Sequence, residues 1–154
     1  MNYWLVKSEP DDFSLNDLKA KGSKGEGWNG VRNYQARNFM RDDMRVGDLV
    51  LFYHSSCKSV GVVGIARVVR AAYPDPTQFD PHSAYYDAKA TNNTPRWYQV
   101  DIAFESKFNS LVSLQTIKSH PELSEIALIT RSRLSVMPIE PAHFHIIKAL
   151  GSMS

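Results

Sequence analysis

The sequence predicts an α+β domain built on a mainly antiparallel, barrel-like β-sheet with short helices packed around it. Two residue-level observations lead to the antiparallel sheet. About five or six segments alternate large apolar with other residues, the period of a half-buried strand. Only about three or four short helical segments stand among them, too few to cross over between parallel neighbours. The chain has 154 residues, without an internal repeat or linker, and is expected to form one domain over 1–154. Closing such a sheet also protects its edges.

The elements follow in order. Tyr3-Trp4-Leu5-Val6-Lys7 reads as a first strand, broken by Pro10-Asp11-Asp12. Ser14 with Asp17 three residues on forms a capping box, so a short helix is expected over 15–20 with Leu15 and Leu18 inward. Gly22, Gly25, Gly27 and Gly30 then punctuate a loop carrying Trp28. Asn33 caps a second predicted helix over 34–44, with Tyr34, Met40 and Met44 on its buried side and Arg37, Arg41 and Arg45 in a stripe.

Residues 49–54 form a strongly apolar strand, 55–59 a hairpin loop, and 60–69 a second strong strand. Between Tyr73 and Pro95 the pattern dissolves among prolines and polar residues, a length of loop that is usually functional or mobile. Alternation returns over 97–104. Small helical pieces are expected over 116–124, while 126–129 fits strand or helix equally. A strand over 134–139 and a closing helix from Pro141 to Leu150, with Phe144, Ile147 and Leu150 inward, complete the chain.

Composition excludes more than it selects. The chain is 43% hydrophobic and 22% charged, an ordinary globular balance, and its net charge of +2 permits a polyanionic partner without requiring one. No apolar run is long enough to cross a membrane. The N-terminal residues lack the pattern of a secretory leader, so the expected compartment is the cytoplasm, or the nucleus if the source is eukaryotic. The single Cys57 forms no internal disulfide, and the five histidines are scattered. His143 and His145 diverge on the predicted helix, so no metal site is expected. No P-loop, dinucleotide fingerprint or Gly-x-Ser-x-Gly elbow is present, and no cofactor is expected.

Three segments hold unusual side chains at strand ends or helix starts, where binding groups are usually mounted. They are Lys7-Ser8-Glu9-Pro10, Trp28-Asn29-Gly30-Val31-Arg32-Asn33 and Tyr53-His54-Ser55-Ser56. If they converge, they offer aromatic rings, hydroxyls, amides and cations. That set grips a splayed-out base by stacking on its face and hydrogen bonding to its edge. Arg131 and Arg133 alternate, share a face and are placed to approach phosphate.

The residues from Tyr3 to Pro10, from Trp28 to Phe39 and from Phe52 to Ser55 resemble, in that order, the signature of the EVE domain family. The likeness continues through Gly61-Val62-Val63-Gly64-Ile65-Ala66, Tyr73-Pro74-Asp75, Tyr86-Asp87, Pro95-Arg96-Trp97 and the stretch from Arg131 to Val136. The family often has Asp where this chain has Asn29. The resemblance implies a PUA-like fold related to the YTH domain. It also implies non-catalytic recognition of a modified base, a modified cytosine in DNA or a modified base in RNA. By that kinship Trp28 is the stacking wall, Ser8 and Asn33 contact the base edge or backbone, and Tyr53, His54 and Ser55 line the far side.

Two other classes stay open. A small amidohydrolase acting on acylated cytidine, as in ASCH-type relatives of the wider group, needs a pocket lysine, a threonine or a carboxylate. Lys7 and Glu9 supply two of these. A protein-interaction adaptor would use the loop between Tyr73 and Pro95. A serine nucleophile at Ser55 activated by His54 is disfavoured, because neighbouring strand residues point to opposite faces.

Overall fold

The computed structural model describes residues 1–153. Six strands form one sheet: β1 (Tyr3–Ser8), β2 (Glu26–Gly27), β3 (Leu49–His54), β4 (Gly61–Pro74), β5 (Tyr98–Ser113) and β6 (Val136–Ile139). Their spatial order is β2-β5-β4-β3-β1-β6. Pairings are antiparallel except between β1 and β3, which run parallel in the register Tyr3 to Leu49 through Ser8 to His54. The α+β class and the mainly antiparallel sheet thus follow the strand pattern. The parallel pair has a local reason: the 40 residues between Ser8 and Leu49 include α1 (Leu15–Ala20) and α2 (Tyr34–Asn38), enough chain for a crossover.

This parallel pair positions the site. Parallel strands end on the same side of a sheet, so the chain leaving Ser8 and the chain leaving His54 emerge together. The Ser55 amide donates to the Ser8 carbonyl at 2.9 Å, tying the two exits. β1 itself lies between β3 and β6, with Trp4, Leu5 and Val6 all buried. Register shifts along β4 and β5 mark bulges, which bend and coil long strands.

The helices show what periodicity captures. The Ser14–Asp17 capping box forms as read, with the Ser14 amide donating to Asp17 Oδ2 at 2.8 Å and the Asp17 amide to Ser14 Oγ at 3.1 Å. Leu15 and Leu18 are buried beneath it. The helix expected over 34–44 is instead five residues of α-helix followed by a π turn over Phe39–Asp43. A π turn inserts a residue into the helical period. Met40 and Met44 remain buried, but Tyr34 faces outward at 48% exposure, contrary to the expectation.

Residues 116–124 and 126–129 form helical pieces: α3 (Leu114–Ser119), a 3-10 turn (Pro121–Leu123) and α4 (Ala127–Thr130). The closing helix is α5 (Pro141–Ser152), with Phe144 and Ile147 buried. Phe144 stacks on Tyr3 with ring centroids 4.3 Å apart. Among the described residues no helix is long and apolar enough to cross a membrane.

The long irregular stretch after β4 is anchored from within. Gln78 is fully buried, and its amide donates to the Asp75 and Trp97 carbonyls at 2.8 Å each. Its side-chain oxygen accepts from the Arg96 and Trp97 amides at 3.0 and 2.9 Å. One side chain thereby satisfies backbone groups at both ends of the loop, which a buried segment requires.

Candidate nucleic-acid interface

A cavity of about 600 Å³ opens at the exits of β1 and β3. Its walls come from the end of β1 (Lys7, Ser8), the turn before α1, the glycine loop up to Arg32, the β3–β4 turn, Tyr85 and Ser135. Of the residues expected from sequence, Lys7, Ser8, Trp28, Asn29 and Ser55 meet here.

Trp28 is 9% exposed and packs edge-to-face against Phe13 and Phe52, with centroids 6.1 and 5.6 Å away. It is therefore part of the floor of the cavity and of the core together, rather than a free-standing wall. Its amide donates to the Val100 carbonyl at 2.8 Å, which fixes the loop to β5. Its indole Nε1–H has no hydrogen-bond acceptor among the described residues. The other two tryptophans differ: Trp4 Nε1 donates to Asp48 at 2.9 Å and Trp97 Nε1 to Asp87 at 2.8 Å. Ser8 Oγ donates to the Phe13 carbonyl, so its hydrogen holds Phe13 beside Trp28 and its lone pairs are left for a ligand.

Lys7 lies 5.9 Å from the centre of the Tyr53 ring and donates to the Ser132 carbonyl at 2.6 Å. Burial pushes its ammonium below the ordinary lysine value. Two cations, Lys7 and Arg32, share the cavity lining with the carboxylates of Glu9, Asp12 and Glu26. Glu26 pairs with Lys21 at 3.3 Å. The Asn29 amide and the hydroxyls of Ser55 and Ser135 have no side-chain hydrogen bond among the described residues.

Five of the expected binding residues stand elsewhere. Tyr53 is 3% exposed beneath Lys7, and burial pushes its phenol up to about 12. It supports the lysine from below. His54 turns to α1, where its Nε2 accepts from the Leu15 amide at 3.1 Å; burial pushes the imidazole below its usual value, followed by the effect of Lys107. That acceptor role occupies the nitrogen that would activate Ser55. Asn33 spends its side-chain oxygen on the Ala36 amide at 2.9 Å as the cap of α2. With Arg131 and Arg133 it lines a separate shallow depression of about 300 Å³ rather than the cavity. Arg131 donates to Gln35, and Lys7 links the two hollows through Ser132.

The residues that shape the wall, Asp75 and Tyr85 above all, carry no local signal of that role. Asp75 is fully buried and accepts from the Gly30 amide at 2.8 Å, Arg32 Nη1 at 3.1 Å, and the Thr77 amide and hydroxyl at 2.8 and 2.6 Å. Gly30 is left-handed at φ +80°, and a Cβ there would stand 2.7 Å from the Tyr85 ring. Arg32 donates to the Tyr85 carbonyl at 2.7 Å and lies 5.5 Å from its ring centre. Tyr85 leans over the cavity only because Gly30 leaves room and Arg32 holds it. The Gly30-Val31-Arg32 and Tyr73-Pro74-Asp75 blocks hold Gly30, Arg32 and Asp75, but their pairing is long-range.

The EVE domain model matches residues 2–150. Mus musculus thymocyte nuclear protein 1 is 40% identical over 97% of this chain and 73% of its own length. A crystal structure of a Pseudomonas putida protein is 51% identical with a TM-score of 0.91, covering 97% of this chain and 99% of that one. The human THYN1 protein, solved in complex with DNA containing 5-methylcytosine, is 36% identical with a TM-score of 0.94, covering 100% and 99%.

Proposed function

This chain belongs to the EVE domain family, and on that premise we propose that it acts as a single non-catalytic module over 1–154 that holds one modified cytosine of DNA in the cavity above Trp28. The observation that supports this reading most is the pairing of that cavity with a relative of the same fold bound to 5-methylcytosine DNA. The lining fits the base. Carboxylates accept from the exocyclic amine of cytosine, whereas thymine presents an oxygen acceptor at that position. The uncommitted Asn29 amide, Ser55 hydroxyl and Trp28 Nε1–H supply further edge contacts. Phe13, Trp28 and Tyr85 supply the aromatic surface for the ring and its methyl group.

Titration with short oligonucleotides containing 5-methylcytosine, cytosine or thymine at one position tests this, with RNA counterparts alongside. Burying one methyl group contributes about 0.8 kcal/mol, so the methylated base should bind about fourfold tighter than cytosine. Thymine should bind about five- to 150-fold more weakly than 5-methylcytosine, since a base contact of this kind discriminates by about 1–3 kcal/mol. Equal affinity for all three bases overturns the reading.

The depressed Lys7 beside Glu9 and Asp12 favours a second reading, hydrolysis of an acylated cytidine. Against it, Lys7 is already engaged by the Ser132 carbonyl, and no threonine lines the cavity among the described residues. Steady release of acetate from N4-acetylcytidine, abolished by Lys7→Met, would establish it.

A further inference from the structure

Outside the cavity, one aromatic face is built and left uncovered. Tyr34 stacks on Trp97 with centroids 4.8 Å apart and planes 23° apart, yet it is 48% exposed. Arg37 lies 4.8 Å from the Tyr34 ring centre and 5.8 Å from that of Trp97. Were Arg37 on the outer face of Tyr34, its distance to Trp97 would approach the sum of the two 4.8 Å separations; it therefore flanks the stack. Arg96 donates to the Tyr34 hydroxyl, so it sits at that edge of the ring. Trp97 is itself tied down by Asp87. The result is a rigid ring with one free face and guanidinium groups at its sides.

The charges beside it differ in availability. Arg96 is paired with Asp87 at 3.5 Å, whereas Arg37 has no carboxylate partner among the described residues and is held by neutral groups, the Arg96 carbonyl and Asn38. A free aromatic face beside an unpaired guanidinium fits a nucleobase with its phosphate. The platform also joins the cavity. Arg32 lines the cavity and lies 5.2 Å from the centre of the same Trp97 ring on which Tyr34 stacks.

We propose that Tyr34 is a second nucleotide subsite: it stacks a base flanking the one in the cavity, with Arg37 on the adjoining phosphate. This rests on the nucleic-acid reading of the cavity and extends it from one base to a short strand.

The test is a fluorescence titration of parent, Tyr34→Ala and Tyr34→Phe with three probes. These are a single-stranded oligonucleotide carrying one 5-methylcytosine, the same strand with an abasic site on either side of it, and free 5-methyldeoxycytidine. Tyr34→Ala should weaken the intact strand about tenfold, leave the nucleoside unchanged, and equal the parent on the strand whose abasic site removes the stacked base. Tyr34→Phe keeps the ring and should stay within about twofold of the parent. Parent affinity for Tyr34→Ala on the intact strand, or equal losses on strand and nucleoside, overturns the proposal. If the parent ignores methylation and base identity but still shows the Tyr34 effect, the cavity reading fails and the platform stands. No binding of any strand by the parent ends both.

Discussion

The two ends of β1 each present a tryptophan to a hollow, and only one hollow is equipped to read a ligand. At the amino-terminal end, Trp4 borders a groove of about 490 Å³ with Tyr3, Phe39, Pro138 and Ile139. At the carboxyl-terminal end, Trp28 floors the larger cavity. Both rings are at least nine-tenths buried, so burial does not tell them apart. The indole N–H does. Trp4 gives its hydrogen to the buried Asp48, which also accepts from the Asn2 and Arg45 amides at 3.1 and 2.9 Å. That end is a closed network of satisfied groups. At the other end the polar atoms of Trp28, Asn29, Ser55 and Ser135 are left over, while the groups behind them are fully engaged. A packed residue spends its polar atoms on the fold; a binding residue keeps them for the ligand.

The strongest way to break this contrast is to remove the hub behind the cavity. Asp75 holds Gly30, Arg32 and Thr77 together with no exposure of its own. Asp75→Ala should cost about 3 kcal/mol, because the partly buried Arg32 guanidinium and the Gly30 and Thr77 amides lose their partner at once. Denaturant unfolding measures it. Because Tyr85 then loses its support, affinity for a 5-methylcytosine oligonucleotide should fall as well, even in conditions where the variant stays folded. Full affinity with the expected loss of stability would separate the wall from the binding function.

A matched pair of substitutions sharpens the contrast. Trp4→Phe should cost about 1–3 kcal/mol of stability, since Asp48 loses a hydrogen bond in a buried place, and should leave binding unchanged. Trp28→Phe keeps a ring between Phe13 and Phe52 and removes only an uncommitted N–H together with part of the ring. It should weaken the base by about two- to tenfold, the equivalent of one hydrogen bond. Thermal melts and titrations on both variants decide it: the crossing of the two effects is the result, and parallel effects would refute the distinction. Trp28→Ala is less informative, because emptying a core aromatic position costs about 3–5 kcal/mol by itself.

How much of this was legible in the sequence depends on the range of the interaction. The capping box at Ser14, the cap at Asn33 and the strand over Leu49–His54 are local and were read correctly. Tyr34 was misplaced because a π turn, which no period announces, rephased the helix after Asn38. The convergence of Lys7, Ser8, Trp28, Asn29 and Ser55 was readable from strand ends. The turning away of Tyr53 and His54 was not, because it depends on contacts with Lys7 and with α1. Asp75 and Tyr85 escaped for the same reason: their partners lie 43 to 53 positions away. The family blocks contained Asp75 without saying what it touches, and Tyr85 lies just outside the Tyr86-Asp87 block.

The smallest expected effect concerns His54, which the contrast assigns to the fold. Its Nε2 accepts from the Leu15 amide, so the native form is the neutral ring. A proton on that nitrogen would set donor against donor. Consistent with this, the folded imidazole lies below its ordinary value of about 6.5, chiefly through burial and then through Lys107. The sign follows: the unfolded chain takes up the proton first, so this contribution is complete above about pH 6.5 and is lost as pH falls through the folded value. Denaturant melts between pH 7.5 and pH 5 should therefore show a stability decline in the parent that is shallower in His54→Gln, whose amide oxygen still accepts from Leu15 at any pH. Contributions common to both proteins cancel in the difference. At pH 7.5 the same variant should bind the methylated oligonucleotide like the parent, since His54 does not line the cavity. A loss of affinity without a change in the pH profile would return His54 to the binding wall.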